Sequence, residues 1–95
     1  MRPRKLTNYK KYRVILAMKN AQYIIAASNT VNNLVILSKA WFHNTTEGQY
    51  LDPDITGYVV LQELDALGNY VNSEKAPFEG KANVIGALRE LGGRS

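Results

Sequence analysis

The stretch Asn8-Tyr9-Lys10-Lys11-Tyr12-Arg13 interleaves cations with aromatic rings. Lysine and arginine neutralise phosphates, and a tyrosine ring offers a π-face on which an unstacked base can rest. Arg2, Arg4 and Lys5 lie just ahead, so the first 13 residues hold six cations and no acid. The contact set this predicts for a nucleic acid or an acidic partner is Arg2, Arg4, Lys5, Tyr9, Lys10, Lys11 and Arg13. The plainer alternative is a solvated basic terminus.

Elsewhere the residues that do covalent chemistry are sparse. Nucleophilic catalysis needs a nucleophile, a base and a group that orients the base. His43 is the single histidine, there is no cysteine, and no serine sits in a Gly-x-Ser-x-Gly elbow. An isolated histidine after Trp41 and Phe42 reads as the polar cap of an apolar segment. Glu47, Asp52 and Asp54 could in principle face a hard cation, but their spacing fits no EF-hand, and Asp52-Pro53-Asp54 is ordinary turn chemistry. Glycines form neither a Gly-x-Gly-x-x-Gly run nor a P-loop. These readings predict no catalytic residue, no metal ligand, no cofactor and no small-molecule substrate.

The remaining aromatic residues suit a protein interface. Tyrosine and tryptophan bury area while keeping a polar handle, and are enriched where proteins meet. Trp41, His43, Tyr50 and Tyr70 are the candidates, with Trp41 read as a core residue first and an exposed anchor second.

The chain of 95 residues has room for one core, not two. Its net charge of +4 hides an asymmetry. Beyond residue 13, six basic residues face eight acidic ones, so a mildly acidic body follows a basic arm. The organisation expected is an arm over residues 1–11 and a single domain over 12–95. No apolar run reaches the roughly 20 residues that span a bilayer, and no apolar segment follows the first basic residues as a secretory leader requires. Together with the absence of cysteine, this points to the cytoplasm or to a virus particle assembled there.

The elements that would position these residues follow from periodicity. Tyr12, Val14, Leu16 and Met18 alternate with Arg13, Ile15, Ala17 and Lys19, which is a strand with one buried side. Lys19-Asn20-Ala21 can turn the chain into a second strand over Tyr23–Ala27. Leu34-Val35-Ile36-Leu37 is apolar and β-branched, and the stretch to Phe42 is assigned to a buried strand. The competing pattern is a helix with Thr30 as N-cap and one face formed by Val31, Leu34, Val35, Ser38, Trp41 and Phe42. Residues 43–56 read as a long polar loop and a candidate binding segment. Tyr58–Leu64 is a strand, Asp65–Asn69 a hairpin turn, and Tyr70–Asn72 extended before Pro77 breaks the chain. Val84, Ile85, Leu88 and Leu91 make one helical stripe over Lys81–Leu91, stopped by Gly92-Gly93, with Gly86 ascribed to close packing on a sheet.

The fold class this predicts is α+β: a four- or five-stranded, mostly antiparallel sheet with a C-terminal helix on one face and a basic N-terminal arm. The first expectation for function is a small non-catalytic interaction or assembly protein that self-associates or holds a protein partner. In general form it is like an accessory or structural subunit of a phage or mobile element, or an inhibitor of a host protein, although no family motif carries that likeness. The second is a nucleic-acid-binding protein that uses the basic arm. A small enzyme comes third.

Overall fold

Alternation in Tyr12–Met18 makes a strand that is flanked on both sides, and the rest of the fold is arranged around it. The computed structural model describes residues 10–92. In chain order these form β1 (Tyr12–Met18), β2 (Gln22–Ser28), α1 (Asn32–Asn44), α2 (Thr46–Tyr50), β3 (Thr56–Leu64) and β4 (Tyr70–Glu79). A 3₁₀ turn (Lys81–Asn83) and α3 (Val84–Gly92) complete the described residues. The sheet has four strands in the order β2-β1-β3-β4, and every neighbouring pair is antiparallel.

Because side chains alternate across a strand, the ladder registers sort the sheet into two faces. Val14 pairs with Ala26 and Leu61, and Leu16 with Val59, which in turn pairs with Ala76. These residues are buried together with Phe78, with Leu34 of α1, and with Val84, Leu88 and Leu91 of α3. The main core cluster lies on this face, while Ile15 and Val60, paired with each other, are buried on the opposite one. The helices supply the cluster's second layer, α1 packing chiefly on β2 and α3 on β4 and β3.

The segment assigned to a buried strand is the helix α1. The sheet's inner face needs a cover, and a 3.6-residue period gathers Leu34 and Ser38 into the interior with Val31, Val35, Trp41 and Phe42 half-buried beside them. The same period leaves Ile36 and Leu37 at the surface. Burying that stripe overrides the strand preference of β-branched residues, which is a weak local bias. Thr30 is not the cap. Val31 occupies that position without a side-chain bond, and the Thr30 N–H donates to Ser28 Oγ (3.2 Å).

Two further expectations change. Residues 43–56 are not one long loop, because Thr45 starts a second helix. Its hydroxyl accepts from the Gly48 N–H (3.0 Å) and donates to the Trp41 carbonyl (2.5 Å), which joins α2 to the end of α1. Pro77 does not end the extended segment. It lies inside β4 opposite Tyr58, on an edge strand, where the lack of an N–H is tolerated.

The β3–β4 turn is built as its composition predicts. Asp65 Oδ1 accepts from the N–H groups of Leu67 (2.9 Å) and Asn69 (2.8 Å), and Gly68 takes a φ of 86°. The C-terminal helix packs on the sheet as expected, but starts at Val84 after the 3₁₀ turn. Gly86 has no packing reason, since a Cβ there would meet nothing within 4 Å.

Candidate functional site

The second face of the sheet carries the functional candidates. Arg13, Ile15 and Ala17 of β1 project there. Their partners across the ladders are Gln62, Val60 and Tyr58 of β3 and Ala27, Ile24 and Gln22 of β2. On β4 the same face holds Tyr70, Asn72, Lys75 and Pro77. Among the described residues no helix lies over it, because α1 and α3 bury their apolar stripes in the core on the other side.

A polar chain crosses this face from β1 to β4. Arg13 Nε donates to Gln62 Oε1 (2.6 Å), and Gln62 Nε2 donates to Asn72 Oδ1 (2.8 Å). The Arg13 guanidinium lies over the Tyr70 ring, 3.9 Å from its centroid. The Tyr70 hydroxyl donates to the Lys10 carbonyl, so the ring is held from both ends. Further along, the Lys75 ammonium sits 4.7 Å from the centroid of Tyr58, a ring that is itself exposed. Ammonium and guanidinium groups are drawn to the negative face of an aromatic ring. The result is two cation–aromatic pairs on one face, separated by Val60 and Gln62. The one acid in this alternation is Glu79, opposite Thr56 at the end of the sheet away from Arg13.

Beside the Arg13 pair is a shallow cleft of about 280 Å³, lined by Arg13, Ile15, Gln22, Tyr23, Ile24 and Gln62. It combines hydrogen-bonding amides with an apolar floor. Ile24, 54% exposed, forms its outer rim on β2.

The residues expected from sequence fall into three groups. Arg2, Arg4, Lys5 and Tyr9 lie outside the described residues. Arg13 projects from the second face, and Lys10 and Lys11 precede it just ahead of β1, the Lys11 ammonium 5.4 Å from the centroid of Tyr12. Lys10 and Lys11 have exposed side chains, while their backbone is tied to the domain. The Lys11 N–H donates to Asn29 Oδ1 (3.0 Å), and its carbonyl accepts from the Leu64 N–H (2.8 Å).

The interface candidates do not form one site. Trp41 stands in α1, not at a strand end. It is half-buried, with Tyr23 at 5.5 Å and Phe42 edge-on at 5.0 Å between centroids. His43 is exposed in the last turn of α1 and lines a cleft of about 330 Å³ toward α3, with Lys39, Phe42, Lys81, Ala82 and Ile85. Lys81 is engaged there, its ammonium donating to the Gln49 carbonyl (3.0 Å). Tyr50 ends α2 and is 82% exposed, remote in sequence and element from the sheet's second face. Tyr70 alone joins the arm residues, as the ring under Arg13.

Sequence reasoning missed Tyr58, Gln62, Asn72 and Lys75. The alternation of Tyr58, Val60 and Gln62 against Val59 and Leu61 was the available signal for the first two. Lys75 became legible only once β4 was seen to run through Pro77. Among the described residues no three of His, Asp and Glu gather as a metal site. Asp52 instead shapes its own turn, its Oδ1 accepting from the Asp54 N–H (2.9 Å). No helix of the described chain is long and apolar enough to cross a membrane.

Comparison with known proteins finds no matching family model, no matching curated protein and no matching solved structure.

Proposed function

We propose that this is a non-catalytic binding protein whose second sheet face, over which no helix lies among the described residues, takes single-stranded nucleic acid, acting in the cytoplasm or in a particle assembled there. The observation that carries the reading is the pairing of Arg13 with Tyr70 and of Lys75 with Tyr58 on a face whose centre holds no acid. Single strands are held by cations that follow the backbone and by flat groups on which bases stack, and arginine guanidinium planes serve as stacking surfaces alongside aromatic rings. Gln22, Gln62 and Asn72 add donors and acceptors able to meet base edges. Arg2, Arg4 and Lys5 precede this strand in sequence and add to the positive charge available to a polyanion.

A duplex fits this surface poorly. A four-stranded face is broader than the helix or two-stranded ribbon that a major groove admits, whereas splayed bases can lie along it. The first expectation from sequence, a protein-interaction or assembly role, draws its support from a sheet edge, a different surface from this face.

The test is fluorescence anisotropy with labelled oligo-dT and oligo-U against a duplex of equal length, over a salt series. Binding should favour the single strands and weaken steeply with salt, and Tyr58→Ala with Lys75→Ala should reduce it by about tenfold or more. Equal affinity for duplex, or affinity unchanged in that variant, overturns the reading. The triple replacement Arg2→Ala, Arg4→Ala, Lys5→Ala separates the arm's share from that of the face.

A further inference from the structure

The two edges of the sheet are built differently. β4 is guarded against pairing with another strand. It carries Pro77, the charges of Glu74, Lys75 and Glu79, and a bulge where the register shifts opposite Leu61 and Gln62. Such features are what keep exposed edges from joining. β2, at the other edge, reads Gln-Tyr-Ile-Ile-Ala-Ala-Ser, with no charge and no proline. Its irregularity is one bulge at Ile25, whose side chain is buried in the core.

The surroundings of the β2 edge are apolar in both layers. On the sheet's second face, Ile24 is 54% exposed. In the helical layer, α1 packs mainly on β2, and a turn of 100° per residue divides its flanks. Lys39 and His43 take the flank toward α3, where they line a cleft with Ile85. Leu37 falls on the opposite flank beside Trp41, which rests against Tyr23 of β2, and Leu37 is 39% exposed.

We propose that a second copy of this chain pairs with this edge, β2 against β2 about a two-fold axis, to make one continuous eight-stranded sheet. Two-fold symmetry makes two identical edges antiparallel, the arrangement that the other strand pairs already use. An uncharged strand can face itself with no like charges opposed, and it has no charge with which to select an acidic or basic peptide. With the axis perpendicular to the sheet, both copies of α1 fall on the same side. Leu37 then faces the joint from the helical layer and Ile24 from the second face.

This inference stands independently of nucleic-acid binding and is tested without nucleic acid. The experiment is sedimentation equilibrium of the full chain across concentration at low and high salt, with far-UV circular dichroism to show that each variant is folded. The intact protein should form a dimer whose dissociation constant hardly changes with salt. Ile24→Lys, at an exposed position, should weaken it by about tenfold or more through like charges at the joint. Val71→Lys, at an exposed position on β4, should leave it unchanged. A monomer at every concentration overturns the proposal. So does a dimer that Ile24→Lys leaves intact, one that Val71→Lys disrupts, or one that dissolves in salt as contact between basic arm and acidic surface would.

Discussion

The Arg13 guanidinium lies 3.9 Å from the centre of the Tyr70 ring, although β3 separates the strands that carry them. Reaching over β3, Arg13 also donates to Gln62 (2.6 Å), so its plane is fixed by a ring and by a hydrogen bond. A flexible basic residue at the end of an arm would leave its side-chain freedom to be lost on binding. Here much of that loss is met on folding.

That geometry separates shape from charge. Arg13→Lys keeps the positive charge but removes the flat group and the Nε bond. Affinity for single strands should fall by about tenfold while the slope of affinity against salt stays the same. Arg13→Ala should lower affinity and also flatten that slope by about 0.7, the contribution of one phosphate contact on a single strand. Equal slopes and equal affinities for all three proteins would show that Arg13 does not touch the ligand.

A second prediction concerns the corner between α1 and α2. A Cβ at Gly48 would lie 2.5 Å from the Trp41 carbonyl oxygen and 2.6 Å from the Phe42 Cα. Both are backbone atoms in a helix and cannot step aside cheaply. Gly48→Ala should therefore destabilise the domain by about 1–3 kcal/mol, lowering Tm by roughly 4–8 °C per kcal/mol. Thermal unfolding followed by the fluorescence of Trp41, the sole tryptophan, measures this directly.

How far the sequence reveals this fold depends on where burial acts. β1 and the Asp65–Asn69 turn are legible because alternation and turn chemistry are local. The helix α1 is not, because Leu34-Val35-Ile36-Leu37 suits a strand in isolation, and it is the need to cover the sheet that selects the helical stripe. Pro77 misleads for a related reason: a proline is excluded from a central strand but tolerated at an edge, and edge position is a property of the whole sheet. The site follows the same division. Arg13 stands out by composition at the end of the basic stretch 1–13, whereas its partners Gln62 and Tyr70 lie 49 and 57 residues away and meet it only through strand order.

Gly86 offers the opposite case to Gly48. It lies within α3, and a Cβ there would meet nothing within 4 Å. Gly86→Ala should stabilise the domain by up to about 1 kcal/mol, because alanine restricts the unfolded chain and favours the helix. Chemical denaturation should show a higher midpoint with an unchanged slope. A lower midpoint would mean that the helix needs glycine for a contact made outside residues 10–92.

Ser38 is the last test, and it bears on how the α1 layer is held. Its side chain is fully buried in the face of α1 that meets the core, and its Oγ has no hydrogen-bond partner among the described residues. A buried hydroxyl left unpaired costs desolvation that nothing repays, and serine is also a poorer helix former than alanine. What the position does require is small size, because a larger side chain between Leu34 and Phe42 would push α1 off β2. Ser38→Ala should accordingly be neutral or stabilising by up to about 1 kcal/mol, while Ser38→Leu should destabilise by about 1–3 kcal/mol through overpacking. Urea denaturation of both variants gives the comparison. A clear loss of stability in Ser38→Ala would show that the hydroxyl makes a bond in solution, with a buried water or with the carbonyl one turn earlier.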